Sequence, residues 1–352
     1  MSVFKKADGF GNLSNGTHTA GATVEIIGEQ WSSYAASFSI SDIGDGRKWL
    51  TNNGAPTAIT LLGSVPNMTT LALCFRVYPT TFVKHVQLFA LYHSTDLVGT
   101  IGINTSGQVV YTIDEQGRLQ YSYKAVSSPL SLNTPTFVEV LLVLHNSTGA
   151  ATIYLNGVED VAVSSQDTIY AGSLCNVLKV VPTGAGTGYD HAGGLPNGWK
   201  LTDIILHTGA GSPIGDAGVY DRAADADGAD SDFTPSAGAN YECVDEIGPD
   251  GDTTYNESDG TAGHRDSFET PGVSGMEVLS VGVRVRARKT DSGSATLLLG
   301  AIHSGSEDQS SGKALGDDYS TLVEFFDTCP STAAAWTPAQ VTAAELSYEV
   351  GA

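Results

Sequence analysis

The sequence of 352 residues lacks the features that define several large protein classes. No segment approaches the run of about 18 to 20 apolar residues that spans a membrane as a helix. The N-terminus, MSVFKKADGF, has two lysines but no apolar stretch after them, so we predict no secretory signal and synthesis in a cytosol. No Cys-x-x-Cys pair is present, which favours buried free thiols over a zinc site or a disulfide framework for Cys74, Cys175, Cys243 and Cys329.

Positive charge is scarce as well. The chain has 17 Lys and Arg residues against 39 Asp and Glu residues, and a formal net charge of -22. Because nucleic acids and anionic membrane surfaces are bound through clusters of Lys and Arg, the composition argues against both as partners. Solubility alone is the simpler interpretation of so acidic a surface, and cation binding is the alternative.

Helical patterns of normal length are missing before about residue 330, and short alternating or apolar runs take their place. Phe137–His145 (FVEVLLVLH) predicts a core strand, and Asn156-Gly157 predicts a tight hairpin turn because both residues tolerate positive φ. In Val281–Lys289 (VGVRVRARK), Val and Ala alternate with Gly and Arg, as in a strand with one buried face. Such strands, separated by turn residues, indicate a β-sandwich.

The predicted fold class is therefore mainly β, with a jelly-roll β-sandwich followed by a smaller β-rich domain. A short helix is expected near 338–346, since Thr337 can cap it, Pro338 suits its first position and Gln340 completes a capping box. We predict four segments: an N-terminal arm (1–20), the sandwich (21–210), an acidic turn-rich connecting segment (211–260) and the C-terminal β-domain (261–352).

The most acidic stretch, Ile214–Gly260, holds ten Asp and three Glu against one basic residue, Arg222. Four of its carboxylates lie within eight residues: Asp225, Asp227, Asp230 and Asp232. Carboxylates at this density can present oxygens to Ca²⁺, although the spacing is not that of an EF-hand loop. The alternative is an acidic turn held by its own Asx hydrogen bonds. Beyond this candidate Ca²⁺ site, no cofactor is predicted.

A glycine-rich loop, GAGTGYDHAGGLPNGW, precedes the last predicted strand of the sandwich. Loops of this kind carry function when a rigid scaffold holds them, and exposed aromatic and polar side chains suit a sugar ligand. The candidate glycan-binding residues are Tyr189, Asp190, His191, Asn197 and Trp199. As an alternative, Trp199 plugs the end of the sandwich and the remainder is surface loop.

Three of the basic residues share one face of the strand Val281–Lys289: Arg284, Arg286 and Arg288. In so acidic a chain, the simpler interpretation is that they pair with the acidic stretch. The alternative is a stripe that contacts a partner protein.

Motifs for hydrolysis are absent. No Glu-x-Asp-x-x-Glu strand is present, the spacing that would place two catalytic carboxylates on one face for glycan cleavage. The histidines are scattered, and no Ser or Cys stands in a recognisable nucleophile setting. On this ground we predict that the chain is not an enzyme.

Two longer patterns resemble known families. FVEVLLVLH followed by ATIYLNGVEDV, together with the closing strand Leu201–His207, resembles the concanavalin A-like lectin/glucanase sandwich in its laminin-G-like form, over about residues 20 to 207. DADGADSDFTPSAGANYECVDEIGPDGDTTYNES and the later PSTAAAWTPAQVTAAE resemble a region recurrent in tailed-bacteriophage virion proteins, where it also follows a laminin-G-like domain. This second match covers roughly residues 200 to 348 and departs at Thr342-Ala343, where Asn-Ala is usual.

The resemblance implies a non-enzymatic structural protein on the exterior of a tailed-phage virion. It would be a capsid decoration, fibre or tail-appendage subunit, assembled in the host cytoplasm and acting through contacts with other capsid or tail proteins and with copies of itself as a homo-oligomer. The alternative is a carbohydrate-binding, lectin-like module for adhesion to host surface glycans.

Overall fold

The structure is a computed structural model, and it describes residues 3–8, 16–18, 38–43, 45, 47–51, 61–114, 121–169, 174–180, 195–208 and 213–352. The chain divides into two compact units, and the boundary falls between Tyr220 and Asp221. In these ranges, the helices are all too short or too polar to cross a membrane.

The first unit is built from antiparallel strands arranged in two sheets. They are β1 (Val3–Asp8), β2 (Gly16–His18), β3 (Phe38–Asp42), β4 (Lys48–Thr51), β5 (Leu61–Met68), β6 (Thr70–Tyr78), β7 (Val86–His93), β8 (Asp96–Ile103), β9 (Gln108–Asp114), β10 (Tyr121–Pro129), β11 (Thr136–Val143), β12 (Gly149–Leu155), β13 (Val158–Gln166), β14 (Cys175–Val180) and β15 (Lys200–Thr208).

The larger sheet, called here the large sheet, has the strand order β13-β12-β11-β6-β15-β4-β3-β2, and β1 pairs with β15 as well. The small sheet has the order β10-β9-β8-β7-β14-β5. Phe75 of β6 packs against Phe89 of β7, with ring centroids 4.8 Å apart, and both rings are fully buried. The two sheets thus enclose an apolar core, and the predicted jelly-roll-like β-sandwich is confirmed.

Several strand predictions are confirmed within a few residues. The predicted core strand Phe137–His145 is β11, and the hairpin turn Asn156-Gly157 joins β12 to β13 with φ values of +50° and +79°. Residues 3–8, for which weak periodicity left an arm and an edge strand as alternatives, form a strand, β1, whose Val3 pairs with Thr208 of β15. The sequence did not decide between the two because the pairing partner of β1 lies far along the chain.

The second unit begins at Asp221 and is also mainly β. Its strands are β16 (Ala226–Ser231), β17 (Thr234–Pro235), β18 (Asn256–Glu257), β19 (Arg265–Glu269), β20 (Val281–Ala287), β21 (Thr296–His303), β22 (Ser306–Gln309), β23 (Lys313–Ala314), β24 (Ser320–Phe326) and β25 (Glu345–Val350).

Three sheets make up this unit. One has the order β16-β19-β25-β21-β22 with β23 also on β21, and β17-β18 and β20-β24 form two-stranded sheets. The acidic residues 221–260, predicted as a connecting segment, therefore belong to a folded unit, because β16 pairs with β19.

A short helix near the C-terminus is confirmed as α1 (Pro338–Thr342). Thr337 caps it through the predicted capping box, in which the Thr337 hydroxyl accepts from the Gln340 backbone N–H and the Gln340 side chain accepts from the Thr337 N–H. The helix ends earlier than expected because the chain enters β25 at Glu345, where it gains two pairing partners, β19 and β21.

All four cysteines are free and buried. Cys74 and Cys175 lie in the first unit, and Cys243 and Cys329 lie in the second.

A buried carboxylate, Asp266, organises the interior of the second unit. Its oxygens accept hydrogen bonds from the Phe233 backbone N–H (2.9 Å), the Asn240 side-chain amide (2.8 Å) and the Tyr348 hydroxyl (3.1 Å). Burial raises the pKa of Tyr348 well above its usual value, and the charge of Asp266 raises it further, so the phenol remains a donor. Asp266 thereby joins strands β19 and β25 to the segment that precedes a short 3-10 helix, Tyr241–Cys243.

We expect Asp266→Ala to lower the free energy of unfolding of the second unit by about 3–5 kcal/mol, because two buried donors and the part-buried Phe233 N–H lose their acceptor. Urea unfolding followed by the fluorescence of Trp336, which is buried in this unit, measures the change. The matched control is Asp318→Ala, an exposed carboxylate of the same unit, for which a change within about 0.5 kcal/mol is expected. Equal effects of the two substitutions would contradict the central role of Asp266.

Candidate functional site on the outer face of the large sheet

The large sheet carries its charged residues on the face that points away from the small sheet. Phe75 faces the small sheet, so its strand neighbours Cys74 and Arg76 project to the opposite side, which we call the outer face. Glu139 of β11 pairs directly with Cys74 and shares this face. The outer face is therefore polar where the inner face is apolar.

A β-bulge adds a carboxylate to the outer face. The register between β15 and β6 shifts between Thr202, which pairs with Arg76, and Ile205, which pairs with Cys74. Two residues of β15 thus oppose one residue of β6. Asp203, inside the bulge, has φ +49°, a left-handed conformation that Asp adopts more readily than most residues.

The Asp203 carboxylate is fully buried and is shared by two arginines. Its Oδ2 accepts from Nε of Arg47 and from Nε of Arg76, each at 3.0 Å. Its Oδ1 accepts from the backbone N–H of Val219 at 3.0 Å. Hydrogen bonds between ionised partners are about twice as strong as neutral ones, and a buried carboxylate requires such compensation.

Residues 213–220, called here the strap, cross this face without forming a strand. The strap is held by Arg76, whose Nη2 donates to Asp216 Oδ1 (2.6 Å) and to the carbonyl of Ala217 (3.0 Å). Burial lowers the pKa of Arg76, but hydrogen bonds and charge from Asp216 and Asp203 outweigh burial and raise it overall. Arg76 therefore remains a cation between a sheet carboxylate and a strap carboxylate.

Both ends of the strap are fixed as well. The backbone N–H of Ile214 donates to both carboxylate oxygens of Glu139, at 3.0 and 3.1 Å. At the other end, Nη2 of Arg47 donates to the Tyr220 hydroxyl at 3.1 Å, and the guanidinium lies 5.8 Å from the centre of the Tyr220 ring. The strap is thus held by four charged side chains: Glu139, Arg76 and Asp203 of the sheet, and Arg47, which directly precedes β4.

The margin of the outer face is open to solvent. Tyr220 is 55% exposed, and the Asp216 side chain is 49% exposed. Asp45 lies beside Arg47 (4.0 Å) and accepts a hydrogen bond from the indole of Trp49 at 3.1 Å. The margin thus combines an aromatic ring, a guanidinium and carboxylates within one connected network.

Deeper on the same face, Cys74, Glu139 and His207 lie together and are fully buried. Burial raises the pKa of the Cys74 thiol well above its usual value, and the charge and hydrogen bond of Glu139 raise it further. The distance from His207 Nε2 to Glu139 Oε1 is 3.6 Å.

The sequence did carry a signal for these residues. Each is a charged or ionisable residue inside an otherwise apolar strand: Arg76 in TLALCFRVY, Glu139 in TFVEVLLV, and Asp203 and His207 in KLTDIILHT. Charged side chains are almost never fully buried unless they are paired. A charge in a core strand therefore predicts a partner, although it does not say which one.

The residues predicted to form the glycan loop differ in exposure to solvent, and three of them are not described by the structure. Tyr189 to His191 lie outside the described residues, and Asn197 is exposed. Trp199 is fully buried; its indole donates to the carbonyl of Thr81 (3.0 Å) and its ring meets Phe82 edge to face. Trp199 thus offers no ring face to a sugar, and the alternative interpretation, a plug at the end of the sandwich, describes its position.

The structure does not gather the four carboxylates predicted as Ca²⁺ ligands: Asp225, Asp227, Asp230 and Asp232. Asp227 accepts from the Tyr241 backbone N–H (2.7 Å), Asp230 pairs with Arg265 (2.7 Å), and Asp232 accepts from the Arg265 N–H (3.1 Å). In the part of the chain that the structure describes, Cys74, Glu139 and His207 form the one group whose metal-ligating atoms come together. The acidic turn is therefore held by hydrogen bonds and one ion pair.

The arginine row on β20 meets the acidic stretch. Arg284 pairs with Asp221 (3.2 Å) and Arg288 pairs with Asp252 (3.0 Å). The guanidinium groups of Arg286 and Arg288 lie 4.1 and 4.7 Å from the centre of the Tyr319 ring. The simpler interpretation, pairing with the acidic stretch, is confirmed for Arg284 and Arg288.

Comparison with known proteins finds similarity in fold only. No protein-family model matches the chain, and no curated protein matches it. An endo-β-1,4-glucuronan lyase from the fungus Trichoderma reesei is 10% identical, with a TM-score of 0.38, over 58% of this chain and 100% of the lyase. The alginate lyase Aly36B is 14% identical, with a TM-score of 0.36, over 61% of this chain and 97% of the lyase. A SAP-like pentraxin from Limulus polyphemus is 14% identical, with a TM-score of 0.30, over 41% of this chain and 65% of the pentraxin.

These findings correct the predicted function. The prediction of a non-enzymatic virion structural protein is wrong on this comparison, because the solved structures described above are two carbohydrate lyases and a pentraxin, and sialidases match as well. The prediction that the chain is not an enzyme is wrong on the same comparison. At identities of 10 to 14% and TM-scores of 0.30 to 0.38, the similarity transfers no activity to this chain. The resemblance to phage proteins, the homo-oligomer and the location on a virion stay predictions.

We expect Asp203→Ala to lower the free energy of unfolding of the first unit by about 3–5 kcal/mol, since Arg47 and Arg76 lose their shared counter-ion. Urea unfolding followed by tryptophan fluorescence measures this, because Trp49 and Trp199 are buried in the first unit. Asp96→Ala, which removes an exposed carboxylate at the start of β8, is the matched control and should change stability by no more than about 0.5 kcal/mol. A loss below about 1 kcal/mol for Asp203→Ala would contradict the shared role of this carboxylate.

Proposed function

We propose that the first unit binds carbohydrate at the solvent-exposed margin of the outer face, with Tyr220, Arg47 and Asp216 as the contact residues. The observation that carries the proposal is the Tyr220 ring, which is 55% exposed and yet held in place by the Arg47 guanidinium. An aromatic ring is apolar on its face and polar at its hydroxyl, which suits the C–H face of a sugar ring beside its hydroxyl groups. A fixed ring also loses little conformational entropy on binding.

Polar groups around this ring supply hydrogen bonds for sugar hydroxyls. The Asp216 carboxylate is half exposed and acts as an acceptor, and the guanidinium of Arg47 is a donor. Both are already oriented by their bonds, Asp216 by Arg76 and Arg47 by Asp203. Groups oriented before binding cost less to order, which favours recognition of a polar ligand.

The charge of the chain indicates the class of carbohydrate. With a net charge of -22, the protein repels polyanions over about a Debye length, roughly 8 Å at physiological ionic strength. A neutral glycan meets no such barrier. We therefore assign neutral glycans, rather than uronic acid polymers, as the ligand class.

The full chain, tested on a panel of neutral and acidic polysaccharides, is expected to bind neutral members, and Tyr220→Ala is expected to weaken that binding about tenfold or more, which corresponds to about 1.4 kcal/mol. Isothermal titration calorimetry or glycan-array binding measures the affinity. Loss of the ring removes the apolar contact and also one of the hydrogen-bond partners of the Arg47 guanidinium.

Tyr255→Ala is the matched control, since Tyr255 is an exposed tyrosine (42%) of the second unit and should leave the affinity unchanged. Binding of acidic polysaccharides alone would contradict the neutral class. Equal affinity of the Tyr220→Ala variant and the unsubstituted chain would place the site elsewhere, and no binding to any member would reject the proposal.

A further inference from the structure

Three residues that are distant in sequence meet on the outer face of the large sheet. Cys74 of β6 pairs directly with Glu139 of β11. On the other side of β6, His207 of β15 pairs with Ala72, two residues from Cys74 and therefore on the same face. The Cys74 sulfur, a Glu139 oxygen and a His207 ring nitrogen all lie within 4.8 Å of one another, and all three side chains are fully buried.

The three donor types match a transition-metal site. Thiolate sulfur, imidazole nitrogen and carboxylate oxygen are the ligands of protein zinc sites, at about 2.3, 2.0 and 2.1 Å respectively. Around a tetrahedral ion, such bond lengths place neighbouring donor atoms about 3.3–3.6 Å apart. His207 Nε2 lies 3.6 Å from Glu139 Oε1, which fits this separation and exceeds the usual 2.7–3.2 Å of an N–H···O hydrogen bond.

Charge balance on this face favours a bound cation. Glu139 is a fully buried acid, and burial of a carboxylate is costly unless a positive charge compensates it. The two arginines of the outer face, Arg47 and Arg76, are directed to Asp203, and Arg76 to Asp216 as well. A divalent ion between Cys74, Glu139 and His207 would neutralise the carboxylate and a thiolate together.

Glu139 is also oriented as metal-ligating carboxylates are. Its two oxygens accept from the backbone N–H of Ile214, the first contact of the strap. Outer hydrogen bonds of this kind fix a ligand's position in a metal site.

We propose that Cys74, Glu139 and His207 bind one Zn²⁺ ion, or a divalent ion of the same ligand preference. The ion joins three adjacent central strands, β11, β6 and β15, and its ligand Glu139 holds the strap. Its principal consequence is stability of the first unit, because binding free energy that is absent from the unfolded chain becomes folding free energy. The metal proposal does not rest on the carbohydrate proposal, although Glu139 also holds the strap that carries Asp216 and Tyr220.

The first experiment uses the full chain, purified without a histidine tag or chelator. Elemental analysis is expected to find about one zinc ion per chain after addition of Zn²⁺ and gel filtration, and removal of the ion with a chelator is expected to lower the Tm of the first unit. When Co²⁺ replaces Zn²⁺, an intense ultraviolet thiolate-to-cobalt charge-transfer band should accompany tetrahedral d–d bands. A chain that retains no metal, or a cobalt-loaded chain without the thiolate band, would overturn the proposal.

Variants locate the site. Cys74→Ser should abolish the charge-transfer band. Glu139→Gln should keep the band but weaken metal binding by at least the roughly tenfold that loss of an outer hydrogen-bond partner costs, because Glu139 is a direct ligand. The matched control is Cys175→Ser, a buried cysteine of the small sheet, which should keep the band and the affinity. A band that survives in Cys74→Ser would overturn the assignment. Should Cys74→Ser fail to fold, the cobalt spectrum of the unsubstituted chain and the affinity of Glu139→Gln decide the outcome.

Discussion

The outer face of the large sheet depends on one interaction, the Asp203 carboxylate shared by Arg47 and Arg76. In a chain with 39 acidic and 17 basic residues, a buried carboxylate is the group that folding can least easily accommodate. Here two guanidinium groups and the backbone N–H of Val219 converge on it. The same arginines then reach the strap at Asp216 and Tyr220, so the position of the strap follows from the neutralisation of one buried charge.

The second unit handles its acidic residues in a different way. Asp266 is buried, and its oxygens accept hydrogen bonds from neutral donors, among them the Asn240 amide and the Tyr348 hydroxyl. Three arginines of this unit instead lie near the surface and pair with carboxylates of the acidic stretch: Arg284 with Asp221, Arg288 with Asp252 and Arg265 with Asp230. Surface pairs of this kind are individually worth about 0–1 kcal/mol. Stability of this unit therefore rests on its apolar cluster and on Asp266 more than on its many ion pairs.

Local patterns predicted the elements whose determinants are local. The alternation of Val281–Lys289 gave β20, the Asn156-Gly157 dipeptide gave the hairpin, and the Thr337 capping box gave α1. The bulge at Asp203 was not predictable, because it arises from the register between β15 and β6. For Trp199 the sequence left two positions open, an exposed sugar contact and a plug at the end of the sandwich, because a polar, glycine-rich neighbourhood does not reveal which ring is buried.

The candidate sites show the same difference between local determinants and strand pairing over long distances in sequence. Clusters that are dense in sequence, such as the aspartates from Asp225 to Asp232, formed no ligand set, since Asp227, Asp230 and Asp232 each accept from a separate donor atom. Cys74, Glu139 and His207, by contrast, come together only through strand pairing, and no spacing rule connects them. The sequence signal for this group is an ionisable side chain inside each of three apolar strands, which is an unusual position for one.

The distribution of the four buried cysteines has a practical consequence. Each unit contains two of them, Cys74 and Cys175 in the first, Cys243 and Cys329 in the second. A thiol reacts with an alkylating reagent only when the reagent reaches it, so each pair records the opening of its own unit. The rates at which the two pairs are alkylated under mild denaturant therefore distinguish concerted from independent unfolding of the two units.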